Sequence, residues 1–358
     1  MNYNSIRRKT KAVTVGNIGI GADNPVSIQS MTNTDTHDIA ATEKQVRALA
    51  ECGCDIVRLA VPDISAAETF STLKANGIKT PLVADIHFDY RIALACVKAG
   101  ADKIRINPGN IGSRDRVVEV AHACEAENIP IRIGVNSGSL EKHILEKYGE
   151  VSAQALAESA LYHADILESV GFSDIVISVK ASDVFTMIET NKILAKETSY
   201  PLHLGVTEAG GIERGRVKSA VGIGALLTCG IGDTIRVSLT ADPLEEISAA
   251  RDILASVGML RDGKMDIVSC PTCGRTRINL ISLLSEFEET AKRENLLSKP
   301  IKVAFMGCAV NGPGEAREAD IGIAGGIGEA LLFKHGETVC KIPSDKIIST
   351  LIDEIKRM

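Results

Sequence analysis

Four times along the first two thirds of the chain, apolar residues at helical spacing run up to a glycine, a short link carrying an Asp follows, and a β-branched run begins. The instances read Gly53-Cys54-Asp55 into IVRLAV, Gly100-Ala101-Asp102 into KIRINP, Gly171-Phe172-Ser173-Asp174 into IVISVK, and Gly230-Ile231-Gly232-Asp233 into TIRVSL. Glycine tolerates the left-handed backbone that ends a helix, so the repeating unit is helix, cap, strand. The runs VSIQSM from Val26, PLVADIH from Pro81, IRIGVNS from Ile131 and PLHLGVT from Pro201 bring the strands to eight. Between them, Val117, Val118, Ala121 and Cys124 keep a helical spacing, Ser65-Ala66-Ala67-Glu68 reads as a capping box, and Ser113, Ser152 and Ser182 read as N-caps. An open doubly wound sheet suits the alternation too, but eight successive units over about 250 residues favour a parallel (β/α)8 TIM barrel.

Past Leu260 the pattern changes. Cys270-Pro271-Thr272-Cys273-Gly274 is followed by a helix-like stretch from about Asn279 to Lys292, and then by Gly307-Cys308-Ala309-Val310-Asn311-Gly312-Pro313-Gly314-Glu315. The division expected is a barrel over residues 1–258 and a smaller α+β domain over 259–358.

Composition narrows the function. With 45% hydrophobic and 24% charged residues the chain has ample material for a core, and a net charge of -6 gives it no general attraction for nucleic acid or an anionic membrane. No apolar run reaches the roughly 20 residues of a membrane span, and the basic start, Met1 to Thr14, lacks a following apolar region, so a cytoplasmic protein is expected. Nine cysteines are too few for a disulfide scaffold. Cys52, Cys54, Cys96, Cys124 and Cys229 fall in or beside amphipathic helices and read as small buried thiols, whereas Cys270, Cys273 and Cys308 stand in Gly- and Pro-rich turns.

The strands carry polar pairs two residues apart, on one face, where a barrel core normally takes Val, Ile or Leu. They are Asp85 and His87, Arg105 and Asn107, Ser178 and Lys180, Arg236 and Ser238, joined by Arg132 with Asn136, and by His203 with Thr207 and the following Glu208. Any one of these residues reads as readily as a structural ion pair. Together, Arg58, Arg105, Arg132, Lys180 and Arg236 outnumber Asp85 and Glu208, and uncompensated charge in a narrow site calls for a polyanion such as a phosphate or diphosphate. There is no Walker loop, and Gly210-Gly211 and Gly325-Gly326-Ile327-Gly328 lack the setting of a dinucleotide fold. Two thiolates in C-x-x-C with a third in a glycine-rich loop gather a metal centre; spacing alone admits zinc, closed by Cys340 or His335, as well as an iron-sulfur cluster.

The Cys270 pair with GCAVNGPGEA, the strands KIRINPGN and IRIGVNSGSL, and the segment HLGVTEAG closely resemble the bacterial 4-hydroxy-3-methylbut-2-enyl diphosphate synthases of the non-mevalonate isoprenoid pathway, over nearly the whole chain. The resemblance implies a TIM barrel followed by a four-iron four-sulfur domain, with one cluster per chain held by Cys270, Cys273, Cys308 and, as an exchangeable oxygen ligand, Glu315. It implies reductive opening and dehydration of 2-C-methyl-D-erythritol 2,4-cyclodiphosphate, with two electrons arriving from flavodoxin or ferredoxin in separate docking events. By the same resemblance Arg58, Arg105, Arg132, Lys180, Arg236 and Ser238 hold the diphosphate, with Asn107, Asn136, Thr207 and Asn311 nearby. The resemblance further implies that Glu208 supplies the proton to the departing hydroxyl, that Asp85 and His87 support the network, and that the enzyme is a homodimer. A barrel transferase of the pterin type or a hydrolase with a zinc-stapled tail is a second reading. An iron-sensing nucleic-acid regulator is a third, which the acidic charge disfavours.

Overall fold

The structure, a computed structural model, describes residues 6–111, 113–260, 265–308 and 316–358. It divides into two compact units, Met1–Met259 and Leu260–Met358.

The first unit opens with an antiparallel hairpin, β1 (Val13–Val15) and β2 (Ile18–Ile20), that the hydrophobic pattern did not reveal. Eight parallel strands follow: β3 (Ser27–Met31), β4 (Ile56–Ala60), β5 (Leu82–Asp85), β6 (Lys103–Ile106), β7 (Ile131–Asn136), β8 (Ile175–Lys180), β9 (His203–Leu204) and β10 (Thr234–Ile235). Their order, β8-β7-β6-β5-β4-β3-β10-β9, is closed to a ring by the bridge between Ile177 of β8 and Leu202 just before β9. Each of the eight runs read from the sequence contains one of these strands. The hairpin lays Val15 and Ile20 against Ile56 and Val83, near the strand starts, and so covers the N-terminal end of the barrel.

All four capping glycines have positive φ, between 74° and 93°, and beyond each one an amide bonds back to the helix: Cys54 N to Leu49 O, Ala101 N to Cys96 O, Phe172 N to Leu167 O and Ile231 N to Leu226 O. The Asp that follows has its own task. Asp55 accepts from the Ile28 amide, Asp102 from Leu82 and Asp233 from Leu202, so in three units the Asp satisfies an amide at the start of the preceding strand.

Several local expectations are corrected. Ser65 Oγ donates to Asp63 Oδ1 instead of capping, and it is Asp63 that accepts the Ala66 amide. Ser113 sits at its N-cap without a side-chain bond, and Asp183, not Ser182, caps the helix Val184–Glu197; Ser152 caps as read, accepting from Ala155. Both Ser182 and Ser65 stand beside an Asp, whose carboxylate is the stronger acceptor at a helix N-terminus. Cys54, Cys96 and Cys124 are buried, and burial pushes their thiols up to about 12, but Cys52 and Cys229 are exposed because each lies at a helix end beside its cap.

The second unit is a five-stranded sheet in order β11-β12-β13-β14-β15: β11 (Asp266–Ser269), β12 (Lys302–Met306), β13 (Ile321–Gly325), β14 (Glu329–Lys334) and β15 (Glu337–Pro343). The first three are parallel and the last two antiparallel. Helices Leu280–Arg293 and Ile347–Arg357 bury Phe287, Ala291, Leu351 and Ile355 with Val303, Phe305 and Ile323 of the sheet. Among the described residues no helix is long and apolar enough to cross a membrane.

Candidate active site

The inward faces of β3 to β10 carry charge where a barrel of this kind normally packs aliphatic side chains. Asp85, at the end of β5 and 3% exposed, is the hub: Arg105 Nη1 donates to its Oδ1 at 2.9 Å, Arg58 Nε lies 3.5 Å and His87 Nε2 3.7 Å from its Oδ2. Burial alone would raise its carboxyl, but the Arg58 and Arg105 charges outweigh burial and hold it below the usual carboxylate range. Arg58 also points Nη2 at Met31 Sδ, 2.9 Å away. Arg236 forks onto Glu246, both contacts 3.3 Å, and Glu246 in turn accepts from Ser30 Oγ at 2.7 Å and the Leu239 amide at 3.1 Å.

The other cations are less well matched. Among the described residues, Arg132, 1% exposed, donates from Nη1 to the neutral Gln29 Oε1 at 3.3 Å and has no partner on Nε, and Lys103 is fully buried with no partner on Nζ. Six cations, Arg58, Lys103, Arg105, Arg132, Lys180 and Arg236, therefore share the interior with two carboxylates, Asp85 and Glu246. Desolvation first, and their mutual repulsion next, push Arg132, Lys103 and Lys180 well below their ordinary values; desolvation draws Arg58 down to about 10 even with Asp85 beside it.

Two glycines, Gly134 within β7 and Gly205 just past β9, make the room for this. A Cβ on Gly134 would lie 2.4 Å from Arg105 Nε, and one on Gly205 would lie 2.6 Å from the Arg236 carbonyl oxygen and 3.0 Å from Lys180 Nζ. At the strand C-termini stand the neutral groups: Asn107, buried just past β6, Asn136 at the end of β7, and Thr207, whose amide donates to the Ala181 carbonyl at 3.2 Å. Ser238 is half-buried, His87 is exposed, and Glu208 is exposed with φ 53°. Arg132, the second residue of β7, lies deep, four residues before the strand's end at Asn136. Sequence reasoning missed Lys103, Gln29, Met31, Glu246 and both glycines. Lys103 was detectable, two residues before Arg105 on the same face; Glu246 was not, since in sequence it is an ordinary first-turn helix acid.

In the second unit, the turn after β11 is knitted to the end of β12. Cys270 N donates to Phe305 O, Gly307 N donates to Cys270 Sγ at 3.1 Å, and Arg277 N donates to Gly307 O at 2.8 Å, which brings Cys270 next to the Gly307-Cys308 step. The Arg275 amide, and then its guanidinium, lower the Cys273 thiol. Among the described residues no three Cys, His, Asp or Glu side chains close on one point, and Asn311 and Glu315 lie outside the described residues. The donor chemistry fits a soft metal centre: three thiols stand in turns at one end of the sheet, and one already receives the kind of N–H···S bond that favours thiolate. The zinc alternative loses its fourth ligands. Cys340 is on β15, four strands from β11 or roughly 19 Å at ordinary strand spacing, and His335 lies at the opposite end of the sheet beside Asp320.

Residues 10–251 match the GcpE TIM-barrel domain and residues 266–357 the GcpE protein C-terminal domain. The chain is 57% identical over 352 residues to a protein of Ruminiclostridium cellulolyticum named 4-hydroxy-3-methylbut-2-en-1-yl diphosphate synthase (flavodoxin), covering 98% of each. It is 58% identical over 350 residues to the protein of that name from Clostridium perfringens, covering 98% of this chain and 99% of that one. Among solved structures, the type I 3-dehydroquinate dehydratase of Clostridium difficile shares the barrel fold, with TM-score 0.52 at 13% identity over 70% of this chain and 98% of that one.

Proposed function

The chain belongs to the GcpE family, and on that premise we propose how its two units share the work. The reaction is the reductive ring opening and dehydration of 2-C-methyl-D-erythritol 2,4-cyclodiphosphate to (E)-4-hydroxy-3-methylbut-2-enyl diphosphate, an oxidoreductase step of isoprenoid precursor synthesis. The protein is an iron-sulfur enzyme acting on a small molecule, with flavodoxin as donor.

In this reading the barrel interior is the diphosphate site. Arg58, Arg105, Arg132, Lys180, Arg236 and Ser238 grip the phosphate oxygens, with Asn107, Asn136 and Thr207 bonding around them. The crowding of six basic side chains, five buried and Arg236 half-buried, around two carboxylates is the observation that carries it, because an anion of matching charge relieves that arrangement. Asp85 holds Arg58 and Arg105 in place, and His87 flanks the same carboxylate. The guanidinium groups stabilise negative charge gathering on the departing phosphate oxygen, and Glu208 delivers a proton to the leaving hydroxyl.

Cys270, Cys273, Cys308 and Glu315 would hold one four-iron four-sulfur cluster per chain. Bound there, the cluster would relay the two electrons singly from the donor. Nine free cysteines suit a reducing cytoplasm, and we take the working enzyme to be a homodimer.

Anaerobic calorimetry of the cyclic diphosphate with the holoenzyme tests the barrel. A lysine at position 132 presents a point charge in place of a planar fork, so Arg132→Lys should weaken binding roughly tenfold or more while iron content stays unchanged. Parent-like affinity in this variant and in Arg105→Lys would move the anion site elsewhere.

A further inference from the structure

Lys103 has no role so far, although it sits among the groups that have one. It opens β6 two residues before Arg105, and the register sets Arg58, Val83 and Lys103 in one row across β4, β5 and β6, one step nearer the strand starts than the row of Asp85, Arg105 and Arg132. The charged and titratable groups of the interior are Arg58 on β4, Asp85 on β5, Arg105 on its own strand, Arg132 on β7, Lys180 on β8, His203 on β9 and Arg236 just past β10, and of these Arg132, Arg58 and His203 interact with Lys103 directly. Both carboxylates of the interior are engaged elsewhere, Asp85 by Arg58 and Arg105, and Glu246 by Arg236, Ser30 and the Leu239 amide. Besides Lys103 Nζ, the atoms Arg132 Nε, Gln29 Nε2, Ser27 Oγ and His203 Nε2 are buried without partners, so among the described residues the floor of the interior has unmet polar atoms and no free carboxylate.

Arginine keeps its proton in such a place, but a lysine amine gives it up. Desolvation, then Arg132 and Arg58, drive Lys103 far from its ordinary value. In the empty barrel Lys103 and Lys180 are thus the buried groups able to change charge, and Lys103 is the one of the two whose Nζ is buried without a partner among the described residues.

Building on the diphosphate reading of the barrel, we propose that Lys103 is a further substrate-binding residue, which takes up a proton as the anionic substrate enters and neutralises it from beneath Arg105 and Arg132. The balance is simple: a buffer acid gives its proton to the amine, and the new ammonium offsets one of the two negative charges of the ligand. Each phosphorus of a cyclic diphosphate carries one strongly acidic hydroxyl, so the ligand has no proton to exchange near neutrality. Whatever proton is taken up ends on the protein.

The test is calorimetry of the cyclic diphosphate with the reductant-free holoenzyme, in buffers of low and high ionisation enthalpy at one pH, which counts protons. The parent should take up about one proton per site more than Lys103→Met, and the variant should bind roughly ten- to a hundredfold more weakly, the worth of a hydrogen bond to a charged group. Lys103→Arg, charged from the outset, should bind more tightly than the Met variant yet still lack that proton, an outcome that damage to the fold would not produce. Equal proton uptake by parent and both variants would overturn the proposal, as would uptake that disappears in His203→Asn but not in Lys103→Met. Binding without any proton uptake overturns this proposal alone; no binding to the parent at all overturns the reading of the barrel with it.

Discussion

Glu208 is held at φ 53°, a left-handed conformation that costs a residue with a Cβ roughly 1–2 kcal/mol. Backbone strain of this kind persists where the surroundings impose it, and here it sits on an exposed carboxylate at the barrel rim, immediately after Thr207. Two substitutions separate backbone from chemistry. Glu208→Gln keeps shape and hydrogen bonding but loses the transferable proton, so turnover should fall by two to four orders of magnitude, roughly the worth of a positioned acid, with substrate affinity kept. Glu208→Gly should be more stable than Glu208→Ala by about 1 kcal/mol in a denaturant melt, because only glycine is at ease at this φ. Turnover near the parent's in the Gln variant would take the acid role away from Glu208.

At the scale of elements, the helix-cap-strand repeat was legible because it is local: a glycine, an Asp and a β-branched run lie within one stretch of chain, which marks four strands, and the short apolar runs between them mark the other four. The hairpin β1–β2 was not, since three-residue strands leave too short a pattern. Most site residues could be read because strands alternate, and an Arg or Asp in an otherwise apolar run stands out. Glu246 could not, because its burial is created by a helix packing on β3, far away in sequence. The same distinction bears on the cysteine turn. Sequence alone left Cys340 open as a ligand, but β15 puts it across the sheet from Cys270. Cys340→Ser should therefore keep the brown visible absorption of the anaerobically purified protein, and Ser at position 270, 273 or 308 should abolish it. Bleaching by Cys340→Ser alone would reverse the assignment.

For the whole molecule, the buried cations make stability depend on pH in a definite sense. Lys103 and Lys180 have values lowered in the folded state, so between those values and the unfolded one of about 10.4 the unfolded chain binds more protons, and stability rises with pH. Cys54, Cys96 and Cys124, raised to about 12, act oppositely once pH passes the unfolded thiol value of about 8.5. Asp85, held low, contributes stability that is present above about 3.9 and lost in acid. The substrate-free protein should accordingly gain stability from pH 6.5 to about 8.5, as read by the denaturant midpoint, and Lys103→Met should flatten that rise. A parent whose midpoint falls across this window would mean that the lysines stay charged.

The hairpin β1–β2 has a consequence for traffic. With Val15 and Ile20 seated on Ile56 and Val83, the barrel is shut at its N-terminal end, and whatever reaches Arg132 enters and leaves between the strand C-termini. On the proposed diphosphate reading of the barrel, product keeps the diphosphate, queues at the same door and holds the same cations until it departs. Added (E)-4-hydroxy-3-methylbut-2-enyl diphosphate should then raise the apparent KM for the cyclic substrate and leave the maximal rate unchanged in steady-state assays with excess donor. Inhibition that lowers the maximal rate at every substrate concentration would mean that the two anions do not share one berth.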